Sequence, residues 1–178
     1  MGQENFDECD TPSLTDVLAR RNGEPAYEPM QRDPSVDIHQ VVHSLSPGEL
    51  MESLGFVSVG PTLNLRYCED KCVVTGELWF ANIQIRTALP PPWDENSAAD
   101  DFVVSADFKN VLLNDPAKLN EINRRYPGLN ISMNESGSVS VATVQTLIGG
   151  RVLENLLWAL IRFFHDAERA YKDLTVFY

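Results

Sequence analysis

Sulfur, imidazole and positive charge are all scarce in this chain. Three cysteines, Cys9, Cys68 and Cys72, are too few and odd in number for a disulfide scaffold. They fit a reducing compartment, and the expected location is cytoplasmic. Three histidines, none in a recognisable nucleophile motif, leave little for Ser/His or Cys/His catalysis. Glycine is sparse too: Gly149-Gly150 has neither the lysine of a phosphate-binding loop nor dinucleotide-fingerprint spacing, so no cofactor is expected. Only 14 basic residues stand against 26 acidic ones, for a net charge of -12. That field repels phosphate backbones and anionic headgroups, so the expected partners include neither nucleic acid nor a membrane. No apolar run approaches the ~20 residues of a spanning helix. The opening MGQENFDECD is acidic and polar, unlike a secretory leader.

What remains, at 178 residues and 43% hydrophobic, suffices for one core of ordinary size. Leu14, Val17 and Leu18 fall at helical spacing after a cap at Thr11 or Ser13, predicting a short helix to about Arg20. NGEPAYEPMQRDPS reads as a linker. VDIHQVVHSL fits either a strand or one helix face. Ser46-Pro47-Gly48-Glu49 is a capping box opening a helix that buries Leu50 and Leu54 and stops at Gly55. FVSV, TLNLRY and KCVVTG read as strands. WFANIQIRTAL alternates, with Trp79, Ala81, Ile83, Ile85 and Leu89 on one face and Phe80, Asn82, Gln84 and Arg86 on a solvated one. After the loop PPPWDENSAADD comes the strand FVVSADFK.

Asp115-Pro116 then opens a helix with Leu119, Ile122 and Tyr126 on one side, stopped at Pro127-Gly128. LNISM and SVSVATVQTL form a hairpin over Asn134-Glu135-Ser136-Gly137. From Arg151 to about Lys172, Leu153, Leu156, Leu157, Leu160, Ile161, Phe164, Ala167 and Tyr171 make a broad apolar stripe. Trp158, Leu160 and Phe163 widen it beyond one sheet face and are candidates for a subunit interface. The order of elements defines an α+β fold, an antiparallel sheet with helices packed on one face. Residues 1–45 are an extension, partly flexible or adding a helix or strand; 46–173 form one domain and 174–178 a tail.

Few residues offer chemistry. His39-x3-His43 with Cys68-x3-Cys72 could complete a tetrahedral zinc site, or be surface imidazoles and small residues flanking a turn. Asp94/Glu95 and Asp100/Asp101 lie in a polar loop that keeps carboxylates solvated, and His165 reads as a solvated helix residue. No catalytic residue emerges. Trp93, after three prolines, is either an exposed anchor for a partner or a pin holding its loop to the body. A small molecule held between sheet and helices is a further alternative. Asn120 and Asn123 sit one turn apart, and Asn123 is expected to tie its helix to neighbouring backbone.

KLNEINRR, the strand pair LNISM and SVSVATVQTL, and the double glycine before ENLLWALIRFF form an ordered set. It resembles the YbjN-like family of bacterial proteins, whose fold is similar to that of type III secretion chaperones, over roughly residues 46 to 173. The family's asparagine-x-tryptophan-asparagine signature reads Asn120-Glu121-Ile122-Asn123 here, with isoleucine in place of tryptophan. The resemblance implies a non-enzymatic protein of the sensory transduction regulator type. By analogy with the chaperones it implies a small acidic homodimer that holds an unidentified polypeptide.

Overall fold

The computed structural model describes residues 37–55, 63–88, 93–94 and 97–175. The expected helix ending at Arg20, the linker that follows it, the FVSV strand and the three prolines before Trp93 lie outside the described residues.

Local capping chemistry sets where the helices begin. Ser46 N–H donates to Glu49 Oε2 at 2.8 Å and Glu49 N–H to Ser46 Oγ at 3.3 Å, a reciprocal box that starts α1 (Pro47–Gly55). Asp115 accepts from Ala117 N–H at 2.8 Å, with Pro116 in the first turn of α2 (Pro116–Arg125). The third helix, α3 (Leu153–Thr175), carries the long apolar stripe and takes in Leu174 and Thr175.

Six strands form one antiparallel sheet: β2 (Arg66–Cys68), β3 (Val73–Glu77), β4 (Ala81–Thr87), β5 (Asp101–Leu112), β6 (Asn130–Met133) and β7 (Ser138–Thr146). Their order across the sheet is β2-β3-β4-β5-β7-β6. The protein is thus an α+β domain. Ile83, Ile85, Phe102, Val104, Ala106, Val139 and Val141 point to one face and join Leu50, Leu54, Ile122 and the α3 stripe in a single core. The expected hairpin closes on Asn134: Gly137 N–H donates to its carbonyl at 2.9 Å, and Ser138 N–H to its Oδ1 at 2.9 Å. Gly137 turns the chain at φ 84°, a conformation open to glycine.

The alternation of WFANIQIRTAL begins two residues later than expected. Leu78 N–H donates to Ala81 O at 2.8 Å and Ala81 N–H to Leu78 O at 3.3 Å, so Trp79 and Phe80 form a two-residue turn. Trp79, expected inward, is 61% exposed, and Phe80, expected outward, is buried against Phe108 and Tyr171.

Residues 37–45 form a strap across the entry to α3, extended at β1 (Val41–Val42), which pairs with β8 (Arg151–Val152). Ile38 O accepts from Glu154 N–H at 2.8 Å and Gln40 O from Leu153 N–H at 2.9 Å, satisfying donors that a helix start leaves open. Leu45 and Ala99 exchange two bonds of 2.9 Å at the strap's end. Gly149 and Gly150 have φ of 85° and 89°. A Cβ on Gly150 would lie 2.8 Å from His43 Cε1 and 2.9 Å from Val41 Cγ1, whereas one on Gly149 meets nothing within 4 Å.

β6 is an edge strand, whose outward N–H and C=O groups invite pairing with another chain. The Asn123 amide takes those of Ile131: its Nδ2 donates to Ile131 O at 3.0 Å, and Ile131 N–H donates to its Oδ1 at 3.1 Å. A side chain on α2 therefore acts as one residue of a missing strand. Asn120, a turn earlier, is exposed.

Asn123→Ala should lower the unfolding free energy by about 1–3 kcal/mol in urea titration, because two part-buried backbone groups lose their partners. Asn120→Ala should change it by less than about 0.5 kcal/mol. Gly149→Ala should cost about 1–2 kcal/mol of backbone strain, and Gly150→Ala clearly more, since the strap must also move; equal losses would contradict the contact.

Candidate functional site

The structure scatters the residues that the sequence singled out. Trp93 is a pin, not an exposed anchor: it is 1% exposed and packed against Phe102, the rings tilted by 42° with centroids 5.0 Å apart. Its Nε1–H donates to Leu45 O at 3.3 Å, and Tyr67 donates its hydroxyl to Trp93 O. An indole burying that much apolar surface with its one donor satisfied stays inside. The exposed indole is Trp79, edge-on to Tyr171 at 5.3 Å, with Lys172 Nζ 5.9 Å from its ring centroid.

Leu160 and Phe163 are also enclosed, at 1% and 4% exposure, and Trp158 is half-buried. The stripe is wide because α3 is covered by the sheet, by α2 and by the strap at its start. Ile122 is buried in the same core.

The four residues of the zinc alternative do not come together. Among the described residues no group of three or more His, Cys, Asp or Glu side chains is arranged to hold a metal ion. His39 Nδ1 lies 3.3 Å from Glu154 Oε2, and residues 37–45 form a turn and a strand, so no helical turn stacks His39 over His43. Cys68 and Cys72 are free thiols flanking a 3-10 turn, with Cys72 in the left-handed region at φ 53° and its Sγ 3.5 Å from Glu69 O.

Two surfaces carry functional geometry. The first is the sheet face opposite the helices, whose side chains run in rows across the strands. One row is Glu77, Asn82, Asp107, Ser140 and Ser132; the next is Thr75, Gln84, Ser105, Ala142 and Asn130. Beyond them Val103 pairs with Val144, which is 62% exposed. The centre is therefore small and polar with an aliphatic border. Lys109 bonds Glu77 and Leu78 O, whereas the half-buried Asp107 has no hydrogen bond or ion pair among the described residues. Burial pushes its carboxyl above the ordinary range.

The second surface is a groove of about 420 Å3 between the end of α2, β7 and α3. Arg125, Tyr126 and the Pro127–Leu129 turn form one wall, and Ala159, Arg162, Phe163, Asp166 and Arg169 the other. Thr143 and Gln145 line it from β7. Gln145, 9% exposed, donates to Thr143 Oγ1 at 3.3 Å and accepts from Arg151 Nη1 at 2.8 Å. Asp173 fastens the first wall to α3, accepting from Arg125 Nη1 at 2.7 Å and from the Tyr126 hydroxyl at 2.8 Å. Burial acts to raise the Asp173 pKa, but hydrogen bonds from Tyr126 and Arg125 outweigh it and hold the carboxyl below its usual range. The Tyr126 phenol is pushed up to about 12, first by burial and then by its bond to Asp173. Sequence reasoning missed this groove. Its one sequence signal is the i, i+3, i+7, i+10 spacing of Ala159, Arg162, Asp166 and Arg169 along one face of α3.

Fold and surfaces together define an α+β domain with an open sheet face and a groove beside its last helix. Compared with protein-family models, with curated proteins and with solved structures, the chain matches none. No helix among the described residues is long and apolar enough to cross a membrane.

The Tyr126 contact has a pH signature. An unfolded phenol ionises near pH ~10 and the folded one near about 12, so between these values the folded state binds more protons. The stability it contributes is complete below the lower value and is lost as pH rises through the upper one. Tyr126→Phe should flatten that alkaline decline and remove a phenolate step at about pH 12 in an ultraviolet titration of the folded protein.

Proposed function

We propose that the protein is a non-enzymatic, chaperone-like regulator of the type that the YbjN-like resemblance implies, and that its open sheet face receives another polypeptide. The observation that carries this reading is the row structure of that face. Ser105, Ser140 and Ala142 make a shallow centre on the long strands β5 and β7, Val103 and Val144 supply an aliphatic border, and the Asp107 carboxylate among them has no partner among the described residues. Backbone groups inside the ladder are already used, so recognition there runs through side chains. A partner's larger side chains fit over the small ones, and a donor from the partner would satisfy Asp107. Cytoplasmic location and a homodimeric state belong to the same reading. With Leu160 and Phe163 enclosed, a dimer would have to form through a surface other than those two side chains.

The test is capture from native lysate by the full chain and by two face variants, Val144→Asp and Ala142→Arg, alongside mass in solution. Because Val144 is 62% exposed, V144D should lower stability by less than about 1 kcal/mol. The expected result is a polypeptide, or a second copy, held by the native chain and released by both variants. Retention by both variants at native strength would end the assignment of this face.

A further inference from the structure

We propose that the groove between α2, β7 and α3 binds a small organic anion, a carboxylate or phosphate carried on a flat apolar body. The proposal stands apart from the polypeptide reading and uses a different surface.

The volume, about 420 Å3, falls in the range of ligand sites, roughly 300–1,000 Å3. Three guanidinium groups line it against a single carboxylate, Asp166, in a chain whose net charge is -12. They are not equivalent. Arg125 is committed to the fold, bonded to Asp173 at 2.7 Å and Glu121 at 3.1 Å, so it builds the wall and its charge is balanced there. Arg162 is 83% exposed, and its one ion pair among the described residues is a 3.8 Å approach of Nε to Asp166. It makes no hydrogen bond among the described residues. Its planar fork therefore keeps its donors for a bidentate acceptor, the geometry that carboxylate and phosphate present.

Thr143 supports the same chemistry from β7. Its oxygen accepts from Gln145, which leaves the hydroxyl proton without an acceptor among the described residues. Ala159, with the edges of the largely buried Phe163 and Leu129, supplies apolar lining for the body of the ligand, and Tyr126 lines the opposite wall. The acids near the site, Asp166, Asp173 and Glu121, all face guanidinium groups already, and at Arg162 a ligand anion competes with the long Asp166 contact.

Calorimetric titration of the full chain tests this with phenyl phosphate, benzoate and benzylamine. Saturable binding of phenyl phosphate or benzoate is expected, with benzylamine at least about tenfold weaker. Arg162→Glu should weaken the anion about tenfold or more, the factor that a lost charge-assisted hydrogen bond carries. Thr143→Val should weaken it a few-fold. Arg86→Glu, the same charge change on the open sheet face, should leave it unchanged. No saturable binding by either anion, equal binding of benzylamine, or equal loss in the Arg86 and Arg162 variants would overturn the assignment.

Discussion

Everything in this fold hangs on one helix covering one face of one sheet. A six-stranded antiparallel sheet with Ile, Val, Phe and Ala on one side cannot remain open on that side, and α3 supplies the largest cover. Ten of its residues are buried, from Leu153 to Leu174. At ~1.5–3 kcal/mol per enclosed large apolar side chain, the stripe is a large gross favourable term, matched by the apolar sheet residues it covers. Conformational entropy offsets most of that gain. The other elements serve its placement. The strap accepts its first N–H groups, β8 holds the strap, and Asp173 near its end fastens α2 through Arg125 and Tyr126.

That commitment leaves the molecule asymmetric. With the helices on one side, the opposite face has no described helix above it, and its side chains are the small and polar ones that the alternation left there. The edge at β6 is the complementary hazard, and the protein meets it without another strand. Asn123 pairs with both backbone groups of Ile131, so the edge next to α2 is blunted while the face stays available. Under the polypeptide-binding proposal, the closed β6 edge limits how a second chain would dock on that side of the sheet. Contact through side chains is permitted, and strand addition at Ile131 is blocked.

Much of the fold was legible because its signals are local. The Ser46–Glu49 box, the Asp115-Pro116 start and the turn at Asn134–Gly137 each need only a few neighbouring residues, and each formed where the sequence placed it. The misreadings share the opposite property. Trp93 is buried because its indole reaches a carbonyl 48 positions earlier, at Leu45. Trp79 is exposed because a tight turn took the two residues that strict alternation assigned to a strand. Leu160 and Phe163 looked surplus against a single sheet face, since the strap and α2, which cover further sides of the helix, are not visible from the helix's own sequence. The groove depends on a wall from residue 125 and another from residue 162, and no spacing rule connects those.

The two asparagines of the second helix show where such local reading ends. Asn120 and Asn123 are alike in sequence, one turn apart, each able to donate and accept. Only Asn123 faces the edge strand; Asn120 is in solvent. The choice between them is made by Ile122, which turns its side chain into the core and so fixes the rotation of α2 against β6. A helix rotated by one residue position, about 100°, would carry the Asn123 amide away from Ile131 and expose the edge. Burial of one apolar residue thus decides which polar residue becomes structural. It also brings Arg125, two positions further on, within reach of Asp173 on α3. The wall of the groove and the closure of the edge are consequences of the same helix rotation.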